Sequence, residues 1–313
     1  EQFRVTREQL EAIIAQFQVE IEKGLARDGE MFKMLPSYAS VPRGNEEGLF
    51  LGIDIGGTNL RVLSAVLRDR AMHDVCIQNA AMPKSARTQH ELFGWIALEI
   101  RRFLHEHGLE TTPLVAGLTF SYAIDQQNID SGIQLNWAKG WDIPETVGKD
   151  VVQVLHDELR LAGVTTVRVV AVLNDTVGTL VNQAFHDASC GGGLIFGSGT
   201  NGCYVERTRN FVKPINPSYT AELMIVNVEW GYFFSDALRS TPYDVWVDRH
   251  SVCAGVQHFE KMISGVYLGW LVCLVVNSLM RSGTVLARHL DKDAFGLGPY
   301  DVDSARVTSH FTA

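Results

Sequence analysis

Asn174-Asp175-Thr176 follows the apolar run Val167 to Leu173 and precedes Leu180, Val181 and Ala184. A run of this kind ending in Asn-Asp-Thr reads as a buried strand whose last residues emerge at its carboxyl end, where open α/β sheets hold their ligands. Asp175 has two readings there: it caps the helix that follows, or its carboxylate does chemistry as a general base. Two glycine turns offer chemistry of another kind. Asp54 precedes Gly56-Gly57-Thr58-Asn59, and Gly197-Ser198-Gly199-Thr200-Asn201 repeats the triplet Gly-Thr-Asn. A glycine turn with outward N–H groups and a hydroxyl can wrap phosphate oxygens, while an aspartate at the strand end can hold a metal-bound water. A plain Gly-Gly hairpin beside a chance aspartate is the alternative. Glu229 and Glu260, taken singly, read as surface or capping carboxylates.

Several other chemistries are excluded. The first glycine turn joins two strands, whereas Walker and Rossmann glycines open a helix. Ser198 is no nucleophile elbow, because Phe196 stands where that motif needs glycine. The ten histidines have no metal-ligand spacing.

The elements that must carry these residues follow from hydrophobic periodicity. Thr6-Arg7-Glu8-Gln9 has the form of a capping box, with Leu10, Ile13, Ile14, Phe17, Ile21 and Leu25 at helical spacing behind it. Leu49 to Ile55 and Leu60 to Leu67 read as the strands of a hairpin, His90 to His107 as helix and Pro113 to Phe120 as strand. Ser121 to Trp141 reads as a long functional loop and Val147 to Leu161 as helix. Gly191 to Phe196, Cys203 to Glu206 and Met224 to Val228 are further strands, and Thr241 to Arg249 is a helix. The repeated strand–turn–strand context of Gly-Thr-Asn points to two related halves.

At 313 residues and 46% hydrophobic, the chain can bury one large core or two ordinary ones, and two lobes are expected. The net charge of −9, without a cationic cluster, argues against a nucleic-acid partner. Five scattered cysteines without a C-x-x-C pair fit a reduced, cytoplasmic compartment. Glu1 to Glu8 are polar with no apolar segment behind them, so no signal peptide is expected. Met262 to Met280 carries no charge, but Ser264, Gly265, Asn277 and Ser278 interrupt it, and a buried helix pair is expected in place of a membrane span.

Taken in order, these stretches resemble the hexokinase family. LGIDIGGTNLRV resembles its first phosphate loop, GLTFSYAIDQQNIDSGIQLNWAKGW its sugar signature, and VAVLNDTVGTLV the stretch with the catalytic aspartate. GLIFGSGTNGCYVE, MIVNVEWGYF and VQHFEKMISGVYLG match three further segments. The resemblance implies an α/β, two-lobed actin-like ATPase (ribonuclease H-like) fold, with a small lobe over 46–174 and a large lobe from 1–45 and 175–313. It implies a sugar pocket of Ser121, Lys139, Asn174, Asp175, Asn201, Glu229, Gln257 and Glu260. It places Asp54, Gly56, Gly57, Thr58 and Asn59 at the triphosphate of ATP, with Asp54 reaching Mg²⁺ through water, and Ser198 on the opposite phosphate turn. The implied reaction is transfer of the γ-phosphoryl group to the 6-hydroxyl of a hexose such as glucose, with Asp175 as the base.

Some positions depart from the family. Ala138 removes a hydroxyl from the usual Trp-Thr-Lys-Gly, and Cys253-Ala254-Gly255 stands where Asn-Pro-Gly is common. Trp270 and Cys273 replace residues usually charged and suggest an apolar surface for self-association. Family members continue well past the position of Ala313, into adenosine-contacting motifs. The alternative is therefore a sugar sensor or truncated product that keeps the pocket but binds ATP poorly.

Overall fold

The computed structural model describes residues 3–137 and 141–282. Contacts divide the chain into two units, one of Leu35–Gly193 with Cys203–Asn227, the other of Glu1–Met34, Leu194–Gly202 and Val228–Ala313.

The larger unit is built on a sheet of five strands: β2 (Gly48–Ile55), β3 (Asn59–Arg68), β4 (Ala71–Ala81), β5 (Leu114–Phe120) and β8 (Val167–Leu173). The spatial order is β4-β3-β2-β5-β8. β2 and β3 form the antiparallel hairpin that the glycine turn demands, and β4 extends it. β5 and β8 then pair in parallel with β2 and with one another, in a register that sets Asp54 beside Thr119 and Thr119 beside Leu173. The carboxyl ends of three adjacent strands are therefore level. Helices α2 (Trp95–Glu106) and α3 (Val151–Leu161) cover one face. Their apolar stripes, with Ile96, Ile100, Phe103, Leu155 and Leu159, join Leu51, Ile53, Ile55, Leu118 and Phe120 of the sheet in one buried cluster. α2 is preceded by one π-helical turn, His90–Gly94, so the continuous helix expected from His90 starts with a bulge.

Ser121 to Trp141 is not a loop without structure. It contains the hairpin β6 (Ile124–Asn128) and β7 (Ser131–Gln134), and then a 3₁₀ turn, Pro144–Thr146, precedes α3. The α3 cap is Asp150, which accepts the N–H of Val152 at 2.9 Å, so the helix begins four residues later than Val147. α4 (Asp175–His186) follows β8 directly and buries Val177, Leu180 and Ala184 with Ile225 and Cys203. The second sheet has the order β1-β11-β10-β9, with β1 (Leu35–Pro36), β9 (Gly192–Phe196), β10 (Thr200–Arg207) and β11 (Leu223–Asn227). Residues Leu194–Gly202, the tip of the β9–β10 hairpin, belong by their contacts to the other unit.

That smaller unit contains α1 (Arg7–Ala26), α5 (Pro242–His250), α6 (His258–Ile263) and α7 (Gly265–Arg281). The capping box read from Thr6 and Gln9 forms, with both reciprocal hydrogen bonds. Its core is aromatic: Phe17 lies 4.6 Å from Phe32 and 4.5 Å from Phe233, and Phe233 lies 5.7 Å from Phe259. Gly24 lets the 32–34 segment approach α1, since a Cβ there would stand 2.3 Å from the Phe32 carbonyl oxygen. The uncharged run Met262 to Met280 becomes the end of α6 and most of α7, and no described helix is long and apolar enough to cross a membrane. α7 is only partly buried, with Val266, Leu268, Val272 and Leu279 exposed. The expected burial of this segment is thus incomplete among the described residues.

Candidate functional site

In the larger unit, the level strand ends bring five expected positions to one edge. Asp54 and Gly56 lie at the end of β2, Ser121 directly after β5, and Asn174 with Asp175 directly after β8. The Ser121 amide donates to the Ile55 carbonyl at 3.2 Å, which carries the parallel register one residue past the strand. Asp54 is half-buried and faces Arg61, whose guanidinium nitrogen lies 3.7 Å from the carboxylate.

The two readings of Asp175 are separated by its neighbour. Asn174 has extended backbone and its side-chain oxygen accepts the Thr176 N–H at 2.9 Å, so Asn174 is the cap of α4. Asp175 is the first helical residue, half-buried, with Oδ1 also 2.9 Å from that N–H. An acidic side chain in this first turn is favoured by the helix dipole. Close packing of α4 on the sheet needs Gly178, where a Cβ would stand 3.0 Å from Thr119 Cγ2.

The first glycine turn is held from outside by its carbonyls. The Tyr122 hydroxyl donates to the Gly56 oxygen at 3.1 Å, and the Trp141 indole N–H and Lys84 ammonium donate to the Gly57 oxygen at 3.0 and 2.5 Å. The Met82 amide donates to the Thr58 oxygen at 2.9 Å. Burial pushes the Tyr122 phenol above its ordinary pKa, so it remains a proton donor at neutral pH.

In the smaller unit, Asn201, Glu229 and Glu260 meet around the second turn. The Asn201 amide donates to Glu229 Oε1 at 2.8 Å, and its oxygen accepts the N–H groups of Glu229 and Gly202 at 3.0 and 2.8 Å. Glu260 Oε2 accepts the Thr200 N–H at 3.1 Å. Glu229 and Gln257 both have left-handed backbone, φ 55° and 56°. Such geometry costs a non-glycine residue about 1–3 kcal/mol and gathers at functional sites. Gln257 immediately precedes α6, and its side-chain oxygen accepts from the Cys253 thiol at 3.3 Å. Behind it, buried Lys261 donates to Asp248 at 2.7 Å and to the Cys253 carbonyl at 2.6 Å.

Carboxylates and amides gathered this way suit a polyhydroxylated ligand, because they can accept from and donate to vicinal hydroxyls. Ser198 lies in the turn between β9 and β10, with its carbonyl accepting the Val266 N–H at 3.2 Å. Lys139 and Ala138 lie outside the described residues. Arg61 and Lys84, which the sequence reading passed over, have signals in hindsight: Arg61 follows Asn59 by two on β3, and Lys84 follows β4 at the level of the turn. Among the described residues no three metal-ligating side chains cluster.

The chain is similar to known proteins over most of its length. Two family models described as hexokinase match residues 1–185 and 192–309. Hexokinase-3 of Oryza sativa subsp. japonica is 37% identical over 287 residues, covering 90% of this chain and 57% of the relative. Hexokinase-1 of Saccharomyces cerevisiae is 37% identical over 320 residues, covering 97% and 64%. A solved hexokinase of Schistosoma mansoni, complexed with glucose, superposes with TM-score 0.78 at 31% identity over 96% of this chain and 69% of its own. The chain spans less than two thirds of the length of the curated relatives it matches. The strand order β4-β3-β2-β5-β8, the glycine turns and these matches agree on an actin-like ATPase fold, and they establish that the chain belongs to the hexokinase family.

Proposed function

We propose that the chain transfers the γ-phosphoryl group of ATP to the 6-hydroxyl of a hexose such as glucose. The observation that carries this reading is the setting of Asp175 at the end of β8: Asn174 is the cap of α4, the Thr176 N–H it caps also fixes Asp175 Oδ1, and the other carboxylate oxygen, Oδ2, is the one assigned to the substrate. Asp175 then takes the hydroxyl proton as the oxygen attacks the γ-phosphorus and the bond to the β-phosphate oxygen breaks. The hexose hydroxyls are taken by Ser121, Lys139, Asn174, Asn201, Glu229, Gln257 and Glu260. A site of this kind rejects analogues lacking a hydroxyl, because its own buried groups would be left unpaired.

Gly56, Gly57, Thr58, Asn59 and Ser198 are assigned to the triphosphate. Mg²⁺ suits this donor set, since it is usually held by one or two carboxylates, waters and substrate phosphates, and Asp54 offers one carboxylate. When bound, the ion neutralises phosphate charge. We retain 46–174 and 1–45 with 175–313 as the proposed functional lobes. The unpaired thiols of all five cysteines support a reducing compartment, proposed to be the cytoplasm. Self-association through the exposed residues of α7 is proposed too, and is checked by sedimentation.

The decisive experiment is an ADP-release assay with glucose and MgATP on wild type, Asp175→Asn and Asp175→Ala. A general base contributes about 10²- to 10⁴-fold, so turnover should fall at least a hundredfold while glucose affinity changes much less. Unchanged turnover in Asp175→Ala removes the residue from the base role.

A further inference from the structure

In each of the two glycine turns, donors from outside the turn hold the carbonyls of two consecutive residues. In a planar trans peptide the C=O of one residue and the N–H of the next point in opposite directions. Holding a carbonyl therefore aims the following amide. In the first turn, Tyr122 holds the Gly56 oxygen, and Trp141 with Lys84 holds the Gly57 oxygen. The N–H groups of Gly57 and Thr58 are thereby directed away from these three side chains. In the second turn, the Gly265 and Val266 amides that open α7 hold the Gly197 and Ser198 oxygens at 2.8 and 3.2 Å, which directs the N–H groups of Ser198 and Gly199 away from the helix.

We propose that Lys84, Trp141 and Tyr122 are positioning residues for a polyphosphate: by fixing the Gly56 and Gly57 carbonyls they aim the Gly57 and Thr58 amides at the phosphate oxygens of the nucleotide. The inference rests on the assignment of this turn to the triphosphate made above. Lys84 acts through the peptide. Its ammonium sits on the carbonyl side, 2.5 Å from the Gly57 oxygen and 4.7 Å from the centre of the Trp141 ring. A positive charge there polarises the Gly57–Thr58 peptide, and hydrogen bonds in such a chain strengthen one another. Trp141 is 5% exposed, so its ring anchors the arrangement from the interior. Neither residue needs to touch the ligand. Their placement also explains how an acidic chain can prepare a site for an anion with few cations facing it.

The test uses Lys84→Met, which keeps the aliphatic stem, and Trp141→Phe, which keeps a ring and deletes the N–H. Calorimetry on the whole chain measures MgAMPPNP and glucose separately. Each single change should weaken MgAMPPNP binding about two- to fivefold and the double variant about tenfold, with glucose affinity within twofold of wild type. Without any ligand, the Thr58 amide resonance should shift in both variants, a signature that general loosening does not give selectively. Wild-type affinity for MgAMPPNP in the double variant overturns the positioning role alone. Equal weakening of both ligands assigns the pair to packing and overturns it too. A wild-type chain that binds glucose but no MgAMPPNP overturns the phosphate-turn assignment itself, and the inference with it.

Discussion

Glu260 accepts the backbone N–H of Thr200 at 3.1 Å, so a carboxylate assigned to the hexose also holds the first residue of the strand leaving the second glycine turn. The two tasks separate by substitution. Glu260→Gln keeps an acceptor oxygen but loses the charge, whereas Glu260→Ala loses both. Hydrogen bonds to charged groups contribute about 1.5–3 kcal/mol, so both variants should bind glucose at least tenfold more weakly. Only the alanine variant should speed amide hydrogen exchange at Thr200. Equal exchange in the two variants would show that the carboxylate does not hold the turn.

Gly265 is fixed by closeness. A Cβ there would lie 2.8 Å from the Gly197 oxygen that its own N–H holds at the same distance. Gly265→Ala must displace either the turn or the start of α7. Overpacking of this kind costs about 1–3 kcal/mol, which a thermal melt should register. Hydrogen exchange should rise in peptides covering 194–202, with those of the five-stranded sheet unchanged.

The Lys261 ammonium is 3% exposed and its partner Asp248 21% exposed. Burial alone would raise the Asp248 pKa, but hydrogen bonds from Lys261 and the Gly255 amide outweigh it and hold the carboxyl below its ordinary value. A depressed carboxylate pKa contributes stability above the unfolded value near 3.9 and loses it as pH falls through the folded value. Lys261→Met should therefore destabilise the chain at pH 7, toward the lower end of the about 3–5 kcal/mol for breaking a buried pair. The difference between wild type and variant should shrink on acidification below about pH 4. Urea denaturation at both pH values measures it.

His156 gives a pH dependence of the same sign from the opposite charge. Its Nε2 accepts the Val169 N–H at 2.9 Å, linking α3 to β8 in the neutral form. Burial, helped by Arg160, pushes its pKa below the ordinary value. Above the unfolded value near 6.5 neither state is protonated and the contribution is complete; below it the unfolded chain takes the proton first, so stability falls. His156→Gln, which offers an acceptor that does not titrate, should flatten the slope of the urea midpoint between pH 7 and pH 5.5. A slope equal to wild type would assign the dependence to other groups.

How much could be read in advance differs by element. Val167–Leu173 and Gly48–Ile55 were legible because buried strands leave apolar runs, and α1 because its capping box and period agree. β4 was missed. As the edge strand it alternates half-buried and exposed residues, with His73, Asp74 and Gln78 diluting the pattern. β6 and β7 were missed because each offers a single large apolar residue, Ile124 or Ile133, and their pairing is set by long-range contacts. At the site, the strand ends drew attention to Asp54 and Asp175, whereas Glu229 and Glu260 read singly as surface or capping carboxylates and joined the proposed set only through the family resemblance. That Asn174 takes the cap, or that Trp141 and Lys84 converge on one carbonyl, depends on geometry that a one-dimensional pattern does not encode.

The side-by-side setting of Asp54, Thr119 and Leu173 makes strand length, not loop length, the quantity under constraint in the larger unit. An extra residue beside the exposed Thr165, past the buried anchor Val164, would be absorbed at the surface. The same residue inserted within Val167–Leu173 would rotate every following side chain to the opposite face, carrying Asp175 away from the other strand tips. Chains descended from this one should vary freely in their connections while these three segments hold their count.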